Sequence, residues 1–234
     1  MKPIPFRPHP QRVRWVCAIA VGLAVACPIE VALAQAASHP DLNAQLLVAA
    51  REVDTARVER LLAQGAVANS RNRLGKTPLL LACEKSNLLL AELMLLKGAD
   101  VSLASVEGVT PLSAASYVGN IAIVKRLLAA GARTEPVDRM NKPAILYAAA
   151  QGHAAVVDAL LSSGIGVDTR YEHQLTVLMW AAGQGQMEVV KLLLARRADA
   201  ALRDDRGLSA IEIAHGSQQL AAAALLAQAN EVGR

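Results

Sequence analysis

The sequence predicts an all-α solenoid of about six stacked helix-turn-helix units joined by short β-turn loops, and three observations carry that prediction. The chain is 53% hydrophobic but only 3% aromatic. Alanine and leucine supply most of that apolar content, which suits helices packed through small side chains better than a sheet sandwich. Gly65, Gly98, Gly131 and Gly164 lie 33 residues apart, and the next step falls on Arg197. In phase with them run Ala49, Ala82, Ala115, Ala148, Ala181 and Ala214, together with Leu46, Leu79, Leu112, Ile145, Leu178 and Ile211. Apolar pairs recur with the same period at Leu61-Leu62, Met94-Leu95, Leu127-Leu128, Leu160-Leu161 and Leu193-Leu194.

The first segment, 1–34, reads as a signal peptide. Lys2, Arg7, Arg12 and Arg14 precede an uninterrupted apolar run from Trp15 to Ala26, too short to span a bilayer as a helix. Ala32 and Ala34 supply the small residues that a signal peptidase reads, so cleavage is expected after Ala34, with Ala36 as a second site. An uncleaved anchor and lipidation at Cys27 remain open. Ala24-Val25-Ala26-Cys27 is similar to a bacterial lipobox, although Ala24 departs from its usual leucine. Export to the periplasm or medium follows from the cleaved form. Of the 24 Lys and Arg and 20 Asp and Glu in the chain, the first 34 residues hold four of the basic groups and Glu30, so the remainder is close to neutral. That balance argues against a nucleic-acid partner. Cys17 and Cys27 leave with the signal, and Cys83, at an alanine-like packing position, is expected to be a small buried hydrophobe.

Each unit has a physical reading. Thr77-Pro78 and Thr110-Pro111 place a capping hydroxyl before a proline at the first helical position, where a missing N–H costs nothing. Gly119, Gly152 and Gly185 stop that first helix, after which Ile123-Val124, Val156-Val157 or Val189-Val190 opens a second apolar face. Gly98, Gly131 or Gly164 then ends the second helix, and a polar loop leads to the next unit.

The phrases Thr77-Pro78-Leu79-Leu80-Leu81-Ala82, Thr110-Pro111-Leu112-Ser113-Ala114-Ala115 and Thr176-Val177-Leu178-Met179-Trp180-Ala181 make the unit resemble the ankyrin repeat, over residues 41–228. The histidine of the family phrase is replaced in every copy, by Leu80, Ser113, Leu146, Met179 and Glu212. The resemblance implies a somewhat looser array. Pro143 and Ala144 stand where threonine and proline are expected, which leaves that helix cap undetermined. The expected organisation after the signal is a linker over 35–40, an N-terminal cap over 41–70 with Asp41 as N-cap, and repeats over 71–103, 104–136, 137–169 and 170–202. A C-terminal cap over 203–228 and a tail over 229–234 complete it.

Neither a nucleophile–base pair nor a metal cluster can be assembled from the sequence, so no enzyme, catalytic residue, metal or cofactor is expected. His153, in the Gly-His turn, reads as structural, and His173 as a solvated tip. Asp204-Asp205 lacks the other ligands of a calcium loop and reads as loop-tip charge. The basic cluster of Arg196, Arg197, Arg203 and Arg206 is balanced by Asp199, Asp204 and Asp205.

The resemblance implies that the chain, as a monomer, binds another protein along loop tips and the exposed face of each first helix, with no membrane contact after cleavage unless Cys27 is lipidated. By register the tips are Arg73-Leu74, Val106-Glu107, Arg139-Met140, Glu172-His173 and Asp205-Arg206. The helix positions are Glu84-Lys85, Tyr117-Val118, Ala150-Gln151 and Gly183-Gln184. Tyr117-Val118 with Val106, Val109 and Met140 makes a candidate apolar centre flanked by charge; alternatively Tyr117 packs over its own turn. Tyr147 and Trp180, one residue before the repeating alanine, are expected in the core. Two other readings stay open: a non-catalytic helper that stabilises an exported enzyme, and a membrane-tethered structural element of the envelope.

Overall fold

Helix caps set the architecture. Thr77, Thr110 and Thr176 each turn a hydroxyl onto the backbone N–H three residues ahead, at 3.2, 3.1 and 3.3 Å, which satisfies a donor that the first helical turn leaves unpaired. In the computed structural model, which describes residues 40–232, twelve α-helices fall into six consecutive antiparallel pairs. They are α1 (Pro40–Glu52) with α2 (Thr55–Ala63), α3 (Pro78–Glu84) with α4 (Leu88–Leu96), and α5 (Pro111–Val118) with α6 (Ile121–Ala129). Then follow α7 (Ala144–Ala150) with α8 (Ala154–Ser162), α9 (Val177–Gly183) with α10 (Met187–Ala195), and α11 (Ala210–Gly216) with α12 (Leu220–Val232). The leader with Ala34 and Cys27, and most of the 35–40 linker, lie outside the described residues.

Asp41 is not an N-cap. Its helix already begins at Pro40, and the Asp41 carboxylate accepts from Gln45 Nε2 one turn on. Pro143 occupies the cap position of α7 but offers no side-chain acceptor. Where the family histidine is missing, Ser113 and Glu212 instead bond back to the N–H of Thr110 and Ser209, closing capping boxes. Leu80, Leu146 and Met179 are buried.

The repeating columns become the core. All six column alanines are fully buried, because a larger side chain there would hold adjacent first helices apart. Leu46, Leu79, Leu112, Ile145 and Leu178 fill the layer beside them, whereas Ile211, in the last pair, is only half-buried. Cys83 packs at the second alanine position, where burial, and to a lesser degree the Glu84 carboxylate, push its thiol up to about 12. The thiol is therefore neutral and a poor nucleophile.

At every step along the stack the first helices pack against one another more extensively than the second helices do. The turn inside each pair requires a left-handed residue: Val53 (φ 62°), Ser86 (φ 56°) and Gln218 (φ 60°) occupy it in three pairs, and glycines in the others. At Gly119 a second reason appears. The His153 ring of the following pair lies over its Cα and meets the Tyr117 carbonyl oxygen through Nε2 at 3.0 Å, which makes His153 the structural strap expected of it. Gln186 Nε2 repeats the strap on the Ala150 carbonyl at 2.8 Å.

Candidate protein-binding face

Four of the five loop tips are each organised by one side-chain acceptor. Asn72 Oδ1 takes the N–H groups of Leu74 and Lys76, Asp138 Oδ1 those of Met140 and Lys142, and Asp204 Oδ1 those of Arg206 and Leu208. Ser105 Oγ does the same for Glu107 and Val109. Asp204 is thus a buried tip organiser and not the exposed tip charge expected from the sequence. Backbone N–H groups link successive tips, from Val106 to the Leu74 carbonyl (2.9 Å), Arg139 to Glu107 (3.0 Å) and Asp205 to His173 (3.1 Å). Tyr171 stands in the same column but its side chain takes no tip N–H, and its tip closes instead as a 3₁₀ turn over Glu172–Gln174, with His173 and Gln174 left-handed. Between that tip and the preceding one, Asn141 Nδ2 donates to Glu172 Oε1 at 3.3 Å.

The expected contact residues divide into groups. Arg73, Val106, Glu107, Arg139, Met140, Glu172, His173, Asp205 and Arg206 are exposed on tips. Glu84, Val109, Tyr117 and Val118 come together, with Ser113, Ala114 and Tyr147, around a groove of about 310 Å³. Lys85, Gln151 and Gln184 are exposed at the C-terminal ends of α3, α7 and α9 and are not among the residues lining that groove. His173 is not merely solvated: its Nδ1 lies 2.9 Å from Asp205 Oδ2.

Trp180 packs against the core as expected, whereas Tyr147 overturns its expected place there and lines the groove. Both are half-buried on the same face as Tyr117. The Tyr117 and Tyr147 rings meet edge to face, with centroids 5.9 Å apart and planes at 79°. Lys142 Nζ stands 4.8 Å from the Trp180 ring centroid, a cation–π contact. The Tyr147 hydroxyl donates to Asp138 Oδ2, and burial together with that carboxylate raises its pKa well above the ordinary phenol value, keeping it protonated. A signal for these residues was present in the sequence. Side chains three apart share a helix face, so Ala114 with Tyr117, Tyr147 with Ala150, and Trp180 with Gly183 place one aromatic and one small residue per helix on this surface.

Among the described residues no group of three or more His, Cys, Asp or Glu side chains could hold a metal ion, and no helix is long and apolar enough to cross a membrane. A helical stack that carries the exposed Tyr117 and the half-buried Tyr147 and Trp180 on its first helices fits recognition of a macromolecular surface. Comparison with curated proteins gave no match. A family model of ankyrin repeats matches three times, over residues 46–140, 85–171 and 145–233. The chain therefore belongs to the ankyrin-repeat family, whose stacked units are protein-interaction scaffolds and typically non-catalytic.

Proposed function

We propose that this chain is an exported scaffold that binds another protein through its concave face, with Tyr117, Tyr147 and Trp180 at the centre of contact. The observation that carries the reading is the aromatic row itself. Tyr117 is 51% exposed, and Val106 and Met140 are 55% and 59% exposed on the neighbouring tips. Large rigid side chains bordered by charge are the usual anatomy of a binding hot spot. Tyr117 leans on Tyr147 of the next pair, so packing over its own turn does not account for its position.

Affinity capture from an envelope extract, with the wild-type chain and Tyr117→Ala in parallel, tests the reading. The variant is expected to keep its melting temperature and to lose about 2 kcal/mol of affinity for the captured protein, roughly thirtyfold. Equal capture by both chains would remove Tyr117 from the contact; parallel loss of capture and melting temperature would make it structural.

Export is supported by the basic start, the short apolar run and the alanines at 32 and 34. N-terminal sequencing of the mature protein is expected to begin at Gln35. A start at Ala37 would move the site to Ala36, and a lipid-modified Cys27 would replace cleavage after Ala34 altogether.

A further inference from the structure

At the N-terminal end of the stack, α1 and the first tip enclose a hollow of about 540 Å³ that the aromatic row does not reach. Its floor is aliphatic, made by Leu47, Val48 and Leu81, and Val48 is 36% exposed. Arg51, Arg71 and Arg73 also line it, and none of its lining residues is acidic. Of the carboxylates nearest in sequence, Glu84 pairs with Lys76 Nζ at 2.8 Å and Glu52 with Arg57 at 3.5 Å, while Asp41 accepts from Gln45 Nε2 and Asp54 from the Arg57 N–H. Arg71 is held by backbone carbonyls, donating from Nε to Gly75 O at 3.0 Å and from its terminal nitrogen to Ala104 O. These contacts fix the guanidinium without neutralising its charge. Arg51 and Arg73 form no ion pair among the described residues. Ser70, also on the lining, is only 9% exposed, and its hydroxyl has no hydrogen-bond partner among the described residues. A buried hydroxyl of that kind is costly unless something accepts from it or donates to it.

We infer that this hollow is a subsite for an acidic segment of the bound protein, one that seats an aliphatic side chain on Leu47, Val48 and Leu81 and sets its carboxylates against Arg51 and Arg73. The inference rests on the protein-binding reading above and extends it to a partner of defined charge. Complementarity selects the occupant. The leader of this chain carries Lys2, Arg7, Arg12 and Arg14 against Glu30 alone, so the arginines of the hollow disfavour it. An acidic segment gains charge-assisted hydrogen bonds at a rim that already has an apolar floor.

The probes are two blocked peptides of equal length, Glu-Leu-Glu-Leu and Lys-Leu-Lys-Leu, titrated into the isotope-labelled full chain and followed by amide chemical shifts. The acidic peptide is expected to shift the amides of Arg51, Ser70, Arg73 and Leu81 and to bind more weakly as salt is raised. The basic peptide should leave those amides unmoved. Arg51→Glu combined with Arg73→Glu, both exposed positions whose folding is checked by circular dichroism, should weaken the acidic peptide by about tenfold or more. No shift with the acidic peptide, equal binding of both peptides, or shifts confined to the aromatic groove would overturn the assignment. So would self-association of the free chain that the double variant abolishes, because the occupant would then be a second copy. The two readings fail separately. A silent acidic peptide with capture still lost in Tyr117→Ala rejects the subsite alone, whereas peptide binding with unchanged Tyr117→Ala capture rejects the aromatic contact alone.

Discussion

Ile145→Ala is expected to lower the unfolding free energy by about 3–4 kcal/mol, measured by urea denaturation of the full chain. Ile145 is fully buried in α7, which packs between α5 and α9. The loss has a transfer part and a cavity part. The surrounding layer closes the cavity poorly, because the residues one turn on in α7 are the small Ala148 and Ala149, both fully buried. The site is also one where α7 starts without a side-chain cap, so little local helix stability is held in reserve. A stack stabilised by neighbour contacts should respond beyond the mutated pair, since α5 and α9 both lose a packing partner. A loss below about 1 kcal/mol would show that the first-helix layer is loosely packed at this point.

Gly119→Ala is expected to cost roughly 2–3 kcal/mol. Two penalties coincide. The residue sits at φ 83°, where an L side chain is strained, and a new Cβ would collide with the His153 ring. Relief requires His153 to swing away and give up its contact with the Tyr117 carbonyl. The double variant Gly119→Ala with His153→Ala separates the terms. Removing the ring should restore the part due to collision and leave the backbone strain. If the second substitution gives no recovery, the strap has been assigned too much weight. Because the strap ends on Tyr117, the single variant should also disturb the aromatic row, visible as a change in capture.

The fold could be read in advance because its determinants repeat. A position that must be alanine for close helix approach must be so in every unit, and six fully buried alanines in phase leave little freedom. Left-handed positions were legible where they hold glycine and hidden where Val53, Ser86 or Gln218 adopts the same conformation. The acceptor column of the tips, Asn72, Ser105, Asp138 and Asp204, was also in phase. Its meaning depends on two N–H groups per side-chain acceptor, which only the folded turn brings together. Tyr117 followed from register. Adjacency to the alanine column points Tyr147 and Trp180 inward; Trp180 keeps its core contact, but helical geometry turns the neighbouring residue through about 100°, and Tyr147 reaches the groove. The N-terminal hollow had no signature of any kind, since Arg51 and Ser70 meet only when α1 stacks on the next pair.

Stiffness along the tips is uneven. Three of the junctions are spanned by backbone hydrogen bonds, but the one between the Met140 and His173 tips is spanned by side-chain contacts alone, from Asn141 to Glu172 and from Lys142 to the Trp180 ring. An elastic array yields first at its weakest junction, so bending on binding is expected to concentrate between the fourth and fifth helix pairs, where hydrogen exchange of the tip amides would detect it. Tyr147 stands on one side of that joint and Trp180 on the other. The spacing of the two rings is thus the dimension of the proposed binding face expected to adjust most readily.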